Sequence, residues 1–285
     1  MENLEQKLKK RVEAGELSMP ALPTTAIKVV ELTRSEDSDA QSLAKLIQTD
    51  QTLASQVMKV ANSAAFNSVG QIQTLQQAIA KLGMQQISQM VLAVSVGKAV
   101  FGADAYTEAL TSYLWRHSLA CATWAREIAR LCKFNTEVVF LCGLLHQMGK
   151  PVALHALMEL ADDNEYALAD MLVLVEQYQR MIGVSLARRW NLPEAIVEAI
   201  NYIDDCYAAP SAREEVMAVN AARLLADLRF GVRFDSPQSP VEEMNLVEAM
   251  RDEAVFVELN FYDEDLQMLQ DKVDMVESTI QAMLI

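Results

Sequence analysis

Along most of the chain, apolar residues recur at spacings of three and four, the pattern of helices that bury one face. Residues 2–16 predict a polar first helix, which MPALPTTA (19–26) breaks with two prolines. A second helix starts with Thr24 or Thr25 as its cap and runs to about Thr33. After the loop SEDSD (35–39), Ser38 or Asp39 can cap a helix carrying Leu43, Leu46 and Ile47 on one face. Asp50 can cap the next, striped with Leu53, Val57 and Val60 and ending near Asn62-Ser63. The linker AFNSVGQIQ (65–73) has room for a small turn or a short strand pair. Thr74 caps a helix through Leu82 that Gly83 ends, and residues 84–101 read as a long apolar helix.

The second half continues in the same style. One long helix is predicted over 107–132, and Asn135 or Thr136 caps another that reaches His146. A short helix follows over 152–160 and a long one over 168–190, with Leu172, Val175, Gln179, Ile182 and Leu186 near one stripe. Asn191-Leu192-Pro193 turns the chain, with Pro193 placed as a first helical residue. Helices over 194–203 and 213–229 complete this body. GVRFDSPQSP (231–240) is the clearest boundary. Beyond it, 241–259 and 263–283 read as two amphipathic helices, the second with a stripe of Leu266, Leu269, Val273, Val276 and Ile280 that suits packing on the body, on a partner or in a homodimer. The expected fold is all-α: a first helix (1–18), a body (19–230) with subdomains 19–104 and 105–230, and a C-terminal helical extension (231–285).

Composition sharpens this picture. Scarce Gly (9) and Pro (7) among 285 residues disfavour a turn-rich β fold. The net charge of −15 is uneven, since residues 235–285 hold thirteen carboxylates against Arg251 and Lys272. Such an acidic extension repels nucleic acid, which is not an expected partner. The one basic run, KLKKR, reads as a solvated helix end. Cys121, Cys132, Cys142 and Cys206 form no CxxC pair and read as reduced thiols. The most apolar stretch, residues 91–102, is too short to span a bilayer and contains Lys98, so a cytoplasmic protein without a membrane partner is expected. Trp115, Trp124 and Trp190 read as packing residues, and no Gly-rich phosphate loop, GxSxG or HExxH occurs.

Candidate chemistry rests on the histidines. There are three, and two of them, His117 in LWRHS and His146 in GLLHQMGK, lie on consecutive helices. A lone histidine on an apolar helix is ordinarily a core residue; two on neighbouring antiparallel helices point to a shared site. His155 reads as a surface or cap residue.

LWRHS, CGLLHQMGK and GVSLARRWNLP resemble the HD superfamily of metal-dependent phosphohydrolases. LPTTAIKVVEL, AKLIQTDQTLASQVMKVANSAAFN and LQQAIAKLGMQQISQMVL resemble its HDOD branch, the HD-related output domain of bacterial signalling proteins. The resemblance covers roughly residues 20 to 228 and implies an HD-like helical bundle. A catalytic site of this kind is similar to His…His-Asp…Asp around divalent metal, which polarises phosphate and supplies a hydroxide nucleophile. His117 and His146 match the two histidines. Gln147 stands where the bridging Asp belongs, Gln179 where a later histidine can stand, and Ala222 is placed at the last Asp. The resemblance therefore implies a vestigial metal site at His117 and His146, with Gln147 and Lys150 as further remnants and Glu176 as the candidate helper carboxylate. No catalytic residue, bound cofactor or intrinsic metal is expected, although two imidazoles can hold adventitious Ni²⁺ or Zn²⁺. His146 is expected to hydrogen-bond in the core, to His117 or Gln147. Asp162-Asp163 and Asp204-Asp205 read as solvated caps.

The function implied is a non-catalytic signal-transduction module that binds a signalling protein. A vacated pocket beside Lys150, Arg116 and Arg180 would suit a nucleotide. The competing expectation is a divergent metal-dependent phosphohydrolase acting on a nucleotide or phosphodiester.

Overall fold

A computed structural model describes residues 2–35, 38–63, 66, 71–102, 107–161, 166–230 and 245–284. Among them every regular element is helical. The first six helices are α1 (Glu2–Ala14), α2 (Thr24–Arg34), α3 (Ala40–Gln48), α4 (Gln51–Ala61), α5 (Leu75–Leu82) and α6 (Met84–Val100). The capping residues do much of this work. Asp39 accepts from Ser42 N–H at 2.8 Å, Asp50 from Leu53 N–H at 3.0 Å, and Thr74 from Gln77 N–H at 3.1 Å. The start of α2 differs from expectation: Pro23 is the N-cap and no side chain caps the helix. After α4, the Asn62 amide clamps both backbone groups of Ile72, donating to its carbonyl at 2.8 Å and accepting from its N–H at 2.7 Å. Much of the 65–73 linker, like the 231–240 boundary and Asp162-Asp163, lies outside the described residues. Helix α6 is the hub of this half, buried on nearly all sides and packed against α2, α4 and α5.

The second half is built around α7 (Glu108–Cys132), whose 25 residues extend about 38 Å. Lys133 stops it in the left-handed conformation. Then come α8 (Thr136–Leu145), capped by Asn135, and α9 (Gly149–Ala161), α10 (Leu168–Arg189), α11 (Glu194–Tyr202) and α12 (Arg213–Phe230), with one 3₁₀ turn at Cys206–Ala208. Pro193 sits one residue before α11, not inside it. Helix α7 packs against α8 and α12, and α9 pairs with α10.

Two close approaches set the geometry of this half. A Cβ on Gly143 would stand 2.8 Å from Cα of Ala122, so glycine lets α8 ride against the backbone of α7. A Cβ on Gly149 would overlap the Gln179 carbonyl, and Gly183 lies opposite, so α9 and α10 meet backbone to backbone. Both contacts lie beside the candidate histidine and glutamine positions.

The acidic extension is more broken than its periodicity suggests. It forms α13 (Leu246–Met250), α14 (Ala254–Glu258), α15 (Asp263–Gln270) and α16 (Val273–Met283) in place of two long helices. Its stripe is covered within the chain: Leu266, Leu269, Val276 and Ile280 are buried, and α16 lies against α4, α6 and α7. That stripe is therefore not a free dimer surface. Helix α1 docks on α9 through Leu4 and Leu8, both fully buried, and Trp190 Nε1 donates to the Pro20 carbonyl at 3.0 Å. The exposed Lys9 and Lys10 leave the basic run solvated. All four cysteines are free.

Candidate functional site

The approach of α8 to α7 brings the two histidines together. Their ring centroids are 5.9 Å apart, and both rings are buried. They do not bond to each other. His146, at the C-cap of α8, has its Nδ1 2.7 Å from the Gly143 carbonyl. A carbonyl only accepts, so Nδ1 carries the proton and Nε2 keeps its lone pair. This corrects the expected bond from His146 to His117 or Gln147. Burial, then the neighbouring His117, pushes the His146 pKa well below the ordinary range.

His117 is engaged at both nitrogens. Nε2 lies 2.8 Å from Oδ1 of Asp227 on α12, and Nδ1 lies 3.1 Å from the Gln147 amide nitrogen. The same amide nitrogen donates to the Leu114 carbonyl at 3.0 Å and approaches Ser118 Oγ at 3.1 Å. The Leu114 carbonyl fixes which way the amide faces, since its oxygen there would meet another acceptor. His117 therefore accepts at Nδ1 and donates from Nε2.

Asp227 corrects the sequence reading, in which Ala222 stood at the last carboxylate position. Ala222 is fully buried in the core. The residue α12 brings to His117 lies five positions later, so one carboxylate survives at this site. Its second oxygen accepts from Arg223 Nη1 at 3.2 Å. The i, i+4 spacing of Arg223 and Asp227 within VNAARLLAD was the available signal.

Around this pair opens a cavity of about 540 Å³. His146, Gln147, Gln179, Lys150, Arg180 and Arg223 contribute its polar lining, with Glu176 and Asp204 beside them. Tyr113, Leu114, Leu172, Val173 and Ile203 supply aromatic and apolar wall. Glu176, expected near the histidines as a helper, pairs with Lys150 at 2.7 Å. Asp204, expected as a solvated cap, pairs with Arg180 and lies 3.7 Å from Arg223. Of the cations named from sequence, Lys150 and Arg180 line the cavity, whereas Arg116 is exposed elsewhere and Arg223 stands in its place. His155 is a surface residue, 3.4 Å from Glu159.

The donors do not fit the divalent metal that the resemblance implies. His117 has no free lone pair, and Gln147 turns an N–H toward the imidazole where a carboxylate would offer charge. Among the described residues, no three His, Cys, Asp or Glu side chains are grouped as metal ligands.

An all-helical body with paired histidines on adjacent helices, joined by a carboxylate from a later helix, defines an HD-like fold. A model of the HDOD domain matches residues 19–206, and the chain belongs to the HDOD family. Over 236 residues it is 22% identical to an uncharacterized protein of Treponema pallidum (strain Nichols), covering 79% of this chain and 44% of that one; it thus spans less than half the length of this curated relative. Crystal structures share the fold. One, provisionally named a metal-dependent phosphohydrolase, from Shewanella amazonensis SB2B, superposes with a TM-score of 0.76 at 20% identity, covering 99% of this chain and 100% of that one. An HDOD domain protein of unknown function from Geobacter sulfurreducens gives 0.73 at 22% identity, covering 99% of both chains. A protein from Marinobacter aquaeolei VT8, provisionally named for signal transduction, gives 0.61 at 18% identity, covering 99% of this chain and 62% of that one.

Proposed function

We propose that this chain is a non-catalytic regulatory module of the signal-transduction type, which acts by binding a protein partner. The observation that carries this reading is the double engagement of His117, by Gln147 at Nδ1 and Asp227 at Nε2. Hydrolysis of the HD type needs lone pairs of both imidazoles and a bridging carboxylate directed at metal; here only His146 keeps a free lone pair, and Gln147 stands in place of the carboxylate. The provisional signal-transduction name of the Marinobacter protein agrees in kind.

A second reading, a divergent phosphohydrolase, is favoured by one observation: Asp227 keeps a carboxylate on His117. The two readings part on metal and turnover. Protein purified without a histidine tag or added nickel is expected to contain far less than one metal per chain by elemental analysis. It is expected to leave bis-p-nitrophenyl phosphate intact with Mn²⁺ or Zn²⁺ present. Metal near one per chain, lost in His146→Ala together with hydrolysis, would establish the phosphohydrolase instead.

A further inference from the structure

The charges around the cavity are sorted by depth. Lys150 and Arg223 are deep, with side chains 17% and 26% exposed. The carboxylates that line the cavity with them are shallower: Glu176 is 49% exposed and Asp204 48%, whereas Asp227, 12% exposed and 3.2 Å from Arg223, is deep but does not line the cavity. Arg180 pairs with Asp204 at the mouth. Lys150 and Arg223 thus form a floor, and Glu176 and Asp204 sit over it as counter-charges that can swing into solvent at small cost, because exposed ion pairs are weak. Arg223 Nε is buried with no hydrogen-bond partner among the described residues.

Two further features point to an organic ligand. His146, 4% exposed, lines the cavity and keeps an Nε2 lone pair for a donor. Tyr113, Leu172, Val173 and Ile203 give a wall on which a flat apolar body can rest. A volume of about 540 Å³ is that of a small-molecule site.

We infer that this cavity binds a phosphate monoester with a flat apolar body, and that Glu176 and Asp204 form an internal latch which the phosphate displaces from Lys150, Arg180 and Arg223. The ligand's hydroxyl or N–H donates to His146 Nε2. This inference rests on the reading that the site binds without turnover. It gives the module an input: exchange of a rim carboxylate for a ligand phosphate frees Glu176 on α10, or Asp204 in the turn after α11, from its ion pairs.

The latch predicts an effect of unusual sign. By calorimetric titration, AMP or GMP is expected to bind with Kd below about 1 mM, tighter than adenosine or guanosine. Glu176→Gln and Asp204→Asn should tighten AMP or GMP about fivefold, the upper worth of an exposed ion pair. Lys150→Met should weaken it about tenfold, and Glu264→Gln, a distant acidic control, should leave it unchanged. Nucleotides binding no better than nucleosides would overturn the inference, as would rim variants that fail to tighten. Neither result touches the non-catalytic reading. Free phosphate accumulating from AMP in a His146-dependent manner would instead overturn that reading and leave the pocket's ligand class standing.

Discussion

Gln147 holds three neighbours with one amide nitrogen, and its loss should be felt locally. Gln147→Ala leaves His117 Nδ1 without its donor in a buried setting, which costs about 1–3 kcal/mol. Urea unfolding should show it as a lower midpoint with an unchanged slope. His146 adds a pH dependence. Its pKa is depressed in the folded state, so between the unfolded value near 6.5 and the lower folded value the unfolded chain binds more protons. Stability is therefore full above about pH 6.5 and falls as pH drops below it. The melting temperature should decline between pH 7 and 5.5, and His146→Asn, whatever its own cost, should flatten that decline. Both imidazoles and the glutamine were legible, His117 in LWRHS and the other two in GLLHQMGK. Their bonds were not, because a tautomer follows from which carbonyl or carboxylate the fold places nearby. Asp227 was missed for a related reason: one turn of α12 decides which residue faces His117, and a short apolar stretch does not specify that rotation.

Helices were read well wherever a cap residue marked the start, as in α3, α4, α5 and α8. They were read poorly where the stripe continued through a break, as in the acidic extension. There Asn260 adopts a left-handed conformation between α14 and α15, which periodicity does not report. Glycines carried structural information of a different kind. Gly149 marks the crossing of α9 on α10, and any side chain there meets backbone that has no room to move. Gly149→Ala should cost roughly 3 kcal/mol, the upper end for overpacking, or prevent folding. Gly15, which has open space around it, makes a useful contrast. Its φ of +68° limits the penalty of Gly15→Ala to about 1–2 kcal/mol. Thermal unfolding of the two variants would separate steric from conformational cost.

At the scale of the molecule, the extension beyond the matched HDOD region is part of the core. Phe256 and Leu246 are fully buried, and Leu266, Leu269, Ile280 and Met283 nearly so. A chain ending at residue 244 should therefore expose a large apolar surface, melt well below the full chain and bind a hydrophobic dye. An unchanged melting temperature would show instead that the extension is a separate arm. No described helix is long and apolar enough to cross a membrane.

The same packing constrains how the protein is made. Helix α16 rests on α4, α6 and α7, so partners some two hundred residues apart in synthesis meet at one joint. A nascent chain can assemble α2 to α6 early, but that face stays uncovered until residue 283 has left the ribosome. During translation the apolar side of α4 and α6 is thus open to chaperones and to misassociation, and slower synthesis of residues 246–283 would lengthen that exposure.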